Sequence, residues 1–262
     1  MRKKRRFSRY TLISMISLII LFSIWESVVR YGLVDPGRLS SPSQIILLFV
    51  NKLSTPSPDG ATVLAHTKAS MGIVLRGFFF ACIVGIPLGL IMGFFRTAER
   101  FFRPIFEMIR PIPTLAWVPI VLLMFGIGPS GKSFIIFIGS FVSLTINTYT
   151  GIKHTKEVLL NVARVAGANS MQMFIRVGLP SAVPMIFTGL RISLGISLST
   201  LVAAEMVAST IGLGYMMNQG RRLLRTDIIF LGVVVIGILG FLANYTMRWL
   251  EKRIAPWVEE SK

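Results

Sequence analysis

The sequence predicts an all-α, polytopic membrane protein with six membrane-spanning helices. Three observations carry this. First, 53% of the 262 residues are hydrophobic and the mean hydropathy is +0.70, more apolar surface than a soluble core can hide. Second, the apolar runs are long and continuous, whereas barrel strands would alternate over about ten residues. Third, basic residues cluster at the ends of these runs and favour one side. The formal net charge is +17. In a soluble protein that would suggest nucleic acid; here the charges flank spans and face anionic lipid, so no nucleic-acid partner is expected.

Catalytic and metal chemistry find little support. Cys82 is the single cysteine and lies inside an apolar run, so no intrachain disulfide can form. His66 and His154 stand far apart near segment ends. No convergent His/Asp/Glu set exists on which to build an enzyme, and no catalytic or metal-binding residue is expected.

Residues 1–9, MRKKRRFSR, form a basic cytoplasmic N-terminus. Residues 10–69 hold the first span and an outer loop. The span runs from about Tyr10 to Val29, since roughly twenty residues cross a bilayer core. Ile24-Trp25-Glu26 follows the apolar core with no small-residue cleavage site, which favours an uncleaved helix over a signal peptide. Pro36-Gly37 and Pro42 mark turns. Ser41 or Ser43 can cap a short surface helix over QIILLFVNKL, and 54–60 is a loop.

Residues 70–250 form the core, with five spans. The second span covers about Ser70–Phe94, and Gly85, Gly89 and Gly93 fall on one helical side, where another helix can approach closely. Arg96, Arg100 and Arg103 follow as a basic turn. The third span, about Arg103–Phe125, contains Pro104, Pro111, Pro113 and Pro119. Each proline removes a backbone hydrogen bond, which membranes tolerate where protein or a water-filled cavity re-satisfies the backbone. Pro111, Pro113, Trp117 and Pro119 are therefore candidates either for lining the pathway or for kinked packing. Residues 126–132 form a turn and Phe134–Tyr149 the fourth span, with Thr145 and Asn147 as further candidates. Gly126–Ser133 also fits G-x-x-x-x-G-K-[ST]. The phosphate-binding loop needs a strand before it and a helix after it; between two spans the match reads as chance.

The fifth span, about Ala182–Ser209, carries Arg191 near its start and Glu205 well inside. A carboxylate at membrane depth should pair or line a cavity. Arg76 or a partner subunit is the expected countercharge, because Arg191 lies about four turns away on the same helix. Gly212 and Gly214 allow a tight turn before Arg221, Arg222 and Arg225. The last span is about Asp227–Trp249, and 251–262 is a cytoplasmic tail. With both termini inside, basic residues favour the inside by about two to one.

Between the fourth and fifth spans lies a polar stretch, residues 153–180. Glu157–Ala166 and Ser170–Val177 favour helix. Gly167 can take the positive φ that turns the chain between them, Asn169 or Ser170 can cap the second helix, and Leu179-Pro180 should stop it before the membrane. Met171, Met173, Phe174 and Val177 are candidate anchors for a groove on another protein.

Asn161-Val162-Ala163, Gly167-Ala168, Val177 and Leu179-Pro180 resemble the cytoplasmic EAA loop of ABC-importer permeases, in which E-A-A is followed by three residues, G, nine residues, I, one residue and L-P. Nine residues separate Gly167 from Val177, so the spacing matches. The glutamate position is Asn161 here, and Glu157 lies one turn earlier. The likeness extends over about Ser70–Trp257 to the permeases of the nitrate, sulfonate and taurine importers, through 85–89 (GIPLG), 110–119 (RPIPTLAWVP), 189–192 (GLRI), 201–206 (LVAAEM), 212–215 (GLGY) and 224–227 (LRTD).

That resemblance implies a type I ABC-importer permease fold in the bacterial inner membrane. It also implies a second permease copy forming a homodimer, two ATPase subunits, and an extracytoplasmic solute-binding protein. The ATPase-coupling residues would be Asn161, Val162, Ala163, Gly167, Ala168, Met171, Phe174, Val177, Leu179 and Pro180. The chain would hold no cofactor, ATP and Mg²⁺ being bound by the ATPase. The cargo would be a small anion of the sulfonate, taurine or nitrate type. The rival reading is a secondary transporter or channel working without ATP; it would show inverted repeats, and no convincing repeat is present.

Overall fold

A computed structural model describes residues 9–35, 37–56 and 58–258. The basic cluster before Arg9 and the last four residues of the tail lie outside the described residues. Every regular element among the described residues is helical. Among the described residues five helices are long and apolar enough to cross a membrane, or six if the bent pair Arg96–Ile109 and Thr114–Phe125 is one span. The chain forms two compact units, Met1–His66 with Met216–Val234, and Thr67–Tyr215 with Val235–Lys262.

In the first unit, α1 (Arg9–Arg30) exposes nearly all of its apolar side chains, as lipid-facing residues do. α2 (Pro42–Ser54) begins at a capping box. The Ser41 hydroxyl accepts from the Gln44 N–H, and the Gln44 amide oxygen accepts from the Ser41 N–H. Glu26 of α1 accepts from the Ser43 N–H and hydroxyl at 3.1 and 2.8 Å, joining the two helices. Lys52 of α2, Asp59 of the loop that follows and His66 form a buried polar cluster. Lys52 pairs with Asp59 and donates to the Ala61 carbonyl at 3.0 Å; His66 Nε2 lies 3.2 Å from the other Asp59 oxygen.

The second unit is built around α6 (Pro129–Lys153), which packs on α3 (Val63–Phe94) and on α9 (Leu179–Val207). The glycine face of α3 does what its spacing predicts. A Cβ at Gly89 would lie 2.6 Å from the Thr145 carbonyl oxygen, and one at Gly93 would lie 2.5 Å from Ile152 Cβ. Gly151 and Gly189 make the same close approach between α6 and α9. The Ser140 and Ser197 hydroxyls, 2.7 Å apart, join that pair of helices.

Several boundaries differ from the sequence reading. α3 starts at Val63, seven residues earlier than the predicted span. Arg96, Arg100 and Arg103 lie not in a turn but on α4 (Arg96–Ile109), a strongly amphipathic helix. The third span is consequently no single kinked helix. α4 ends at Arg110-Pro111-Ile112-Pro113, and a 3₁₀ turn (Thr114–Trp117) and α5 (Val118–Phe125) resume at an angle of 84°. Two prolines one residue apart delete alternate N–H donors and disfavour helical geometry in the residues before them. Pro104 is absorbed inside α4, and Pro119 occupies the first turn of α5, where its missing N–H costs nothing.

Gly212, at φ +132°, turns the chain as expected, but a helix follows: α10, Leu213–Arg222. Arg221 donates to Asn218 on that helix, and Arg225 pairs with Asp227 at 2.5 Å. The final helix, α11 (Thr226–Ile254), outruns the predicted span by five residues.

Candidate coupling loop and transport cavity

The polar stretch folds as two helices meeting at a corner. α7 (Glu157–Val165) ends against Gly167, whose φ of +75° is open to glycine at no steric cost. The Ala168 N–H donates to the Ala163 carbonyl and the Gly167 N–H to Arg164, closing the end of α7. Asn169 then caps α8 (Ser170–Met173), and a reciprocal bond with Gln172 completes a capping box.

The expected stop at Leu179-Pro180 does not occur. α8 passes through a π-helical turn, Phe174–Gly178, directly into α9. The Leu179 N–H reaches back five residues to the Phe174 carbonyl. That register change lets Pro180 enter as the first turn of α9, where it needs no donor. The second helix of the loop and the fifth span are thus one continuous rod.

The side chains of this loop divide into two sets. Phe174 faces inward, its ring 4.9 Å from that of Phe94, beside the cluster of Ile152, Ala182 and Ile186. Like Met173 and Val177 it is half-buried. The exposed apolar face is Val158, Val162 and Val165 on α7, with Met171 and Ile175 beyond the corner. Val158 and Val165 escaped the sequence reading, although the i, i+4, i+7 spacing with Val162 was present. Asn161, between them, accepts from Arg164 at 2.8 Å.

The loop is anchored at its root. Glu99 of α4 accepts from Tyr149 Oη at 2.6 Å and pairs with Lys153 Nζ at 2.5 Å, both on the last turns of α6. Arg191 of α9 pairs with Glu251 of α11. Trp257, in the short turn Pro256–Val258, lines a cleft of about 660 Å³ with Val162, Arg176 and Pro180.

The pathway candidates separate. Trp117 and Asn147 line one cavity of about 240 Å³ at the break between α4 and α5, together with Arg110, Thr114 and Ser143. Pro111 and Pro113 make that break, and Pro119 lies in the helix beyond it. Thr145 does not join them; it is buried against Gly85 and Gly89 of α3.

Glu205 is also elsewhere, and its expected pairing with Arg76 is not formed. It is 1% exposed. Its two oxygens accept from the Ser70 hydroxyl at 2.8 and 2.9 Å, and one also accepts from the Gly214 N–H at 2.8 Å. Arg76 instead donates to the Gly72 carbonyl. The G-x-x-x-x-G-K-[ST] match is preceded by helix α5 instead of a strand, and Lys132 donates to Ser209 at 2.8 Å.

The family model described as "Binding-protein-dependent transport system inner membrane component" matches residues 85–257. The taurine transport system permease protein TauC of Escherichia coli (strain K12) is 36% identical over 253 residues, covering 95% of this chain and 91% of that protein. The nitrate import permease protein NrtB of Leptolyngbya laminosa is 30% identical over 245 residues, covering 92% and 86%. A chain of the inward-facing MetNI methionine ABC transporter shares the fold, with a TM-score of 0.56 at 18% identity over 71% of this chain and 94% of that one. The chain is therefore a multi-pass membrane protein belonging to the family of binding-protein-dependent transport system inner membrane components.

Proposed function

We propose that this chain is the pore subunit of an ATP-driven importer for a small anion of the taurine, sulfonate or nitrate type. Two copies enclose the path, both termini face the cytoplasm, a solute-binding protein delivers cargo from outside, and two ATPase subunits dock on residues 153–180. The chain itself binds no cofactor; ATP and Mg²⁺ belong to the ATPase.

The observation that carries the coupling role is the exposed apolar face of Val158, Val162, Val165 and Met171. It is carried on a helix pair whose second member continues without interruption into α9. A soluble partner has reason to cover such a face, and a rod that enters the membrane can transmit the displacement. The anion assignment leans on the relatives that import taurine and nitrate.

The test is a pull-down of the ATPase subunit with the intact chain and with Gly167→Pro, at matched membrane expression. Proline cannot adopt φ +75°, so the corner is lost. Capture by the intact chain alone supports the reading. Failure of both proteins to capture the ATPase would favour transport without ATP.

A further inference from the structure

Arg110 stands at the broken turn of the bent span, and its guanidinium makes no ion pair among the described residues. An exposed arginine on the wall of a cavity beside membrane-spanning helices is a candidate for an ion or substrate pathway. The nearest carboxylate on its own helix, Glu107, is engaged by Arg103 at 2.8 Å. Arg110 borders two cavities: Glu107 lines one, of about 210 Å³, and no carboxylate lines the other, of about 240 Å³.

The other polar side chains of that wall can each donate a hydrogen bond. The hydroxyls of Thr114 and Ser143 make no hydrogen bond to a described residue. Asn147 spends one N–H on the Ser143 carbonyl, 2.8 Å away, and keeps the other. The indole Nε1 of Trp117, a donor only, is buried with no acceptor among the described residues. Gly139 permits this arrangement: a Cβ there would fall 2.8 Å from Thr114 Cγ2 and push the 3₁₀ turn off α6.

From this we infer that the cavity at the α4–α5 break is an oxyanion-binding station, with Arg110 as its charge and Ser143, Thr114 and Trp117 as supporting donors. The ligand class is a small anion with several oxygens on one centre, a sulfonate or nitrate. A planar guanidinium bonds two such oxygens at once, and apolar walls from Ile138 and Val142 accommodate the rest of the molecule. The inference rests on the anion-importer reading and places a selective site inside the permease itself.

The test uses the complete transporter with its ATPase and binding protein in proteoliposomes, with radiolabelled taurine, ethanesulfonate and nitrate as probes. Arg110→Gln should lower uptake of the transported probe about tenfold or more, and Trp117→Phe about threefold, the losses expected for one charge-assisted and one neutral hydrogen bond. Arg110→Lys should restore part of the uptake. Thermal unfolding midpoints of the solubilised complex should match wild type in all three variants; a merely structural role would lower the midpoint and uptake together, and that result overturns the site. Unchanged uptake in Arg110→Gln also overturns the site while leaving the importer reading intact. A wild-type complex that hydrolyses ATP on addition of binding protein but takes up none of the three anions overturns the anion reading and the site with it.

Discussion

Ser70 and Glu205, 135 positions apart, share a hydroxyl bond to both carboxylate oxygens. The same hydroxyl accepts from the Leu213 N–H at 2.8 Å, and Glu205 accepts from the Gly214 N–H. Those two amides open α10, so a carboxylate on α9 and a serine on α3 together cap a third helix. Negative charge is favoured at a helix N-terminus, whose first amides lack internal partners.

Glu205→Gln keeps the shape and removes the charge. It should lower stability by about 1.5–3 kcal/mol, the range for charged hydrogen bonds, seen as a lower midpoint in thermal unfolding of the solubilised protein. Gly212→Ala should be at least as damaging, because its Cβ would collide with the Glu205 carboxylate. Wild-type midpoints in both variants would remove the capping role.

The glycine face of α3 predicts a graded series. An added methyl at Gly89 meets the Thr145 backbone oxygen at 2.6 Å, where nothing can rotate away. At Gly85 the nearest atom is the Thr145 hydroxyl, at 3.1 Å. Gly89→Ala should therefore cost about 1–3 kcal/mol by overpacking, and Gly85→Ala clearly less. Detergent melting curves of the two variants, compared side by side, test the order. A reversed order would mean that α3 and α6 do not pack at this spacing.

The two faces of the coupling loop should respond differently. Val162→Asp places a charge on the exposed apolar surface and should weaken ATPase capture at least about tenfold with little loss of stability, since surface changes stay within about 0.5 kcal/mol. Phe174→Ala removes a ring packed on Phe94 and Ile152. It should cost about 2–4 kcal/mol and loosen the joint between α8 and α9. Joint measurement of capture and melting separates them; equal effects on both readouts would deny the division of the loop.

Much of this was legible in the sequence. The spans follow from hydropathy, the α3 face from glycines four residues apart, and the corner of the loop from Gly167 and Asn169, where local geometry leaves few choices. The π turn was not legible. A proline deletes the same N–H whether a helix stops or shifts register, and the deciding bond runs from Leu179 to Phe174. The inward turn of Phe174 depends on Phe94, eighty positions earlier. The Ser70 hydroxyl and Gly214 amide on Glu205 were not legible, since neither donor carries a charge that stands out in the sequence. The 84° bend was hidden because each of four prolines looks alike in sequence, while only the pair at Pro111 and Pro113 acts together.

Asp59 supplies a pH-dependent prediction outside the spans. Burial works against its charged form, and the His66 and Lys52 side chains beside it together outweigh that, so its pKa is lowered from the ordinary value. A carboxyl whose folded pKa lies below its unfolded one contributes stability that is complete above the unfolded value, near 4. That contribution is lost as pH falls through the lower folded value. The loop between α2 and α3 should therefore loosen only in strong acid, below about pH 4. Asp59→Asn should destabilise the same loop at neutral pH by about 3 kcal/mol or more, because it leaves the buried Lys52 ammonium without its carboxylate. Hydrogen exchange of residues 52–66 across pH measures both effects. Acid sensitivity that persists unchanged in Asp59→Asn would assign it to another carboxyl.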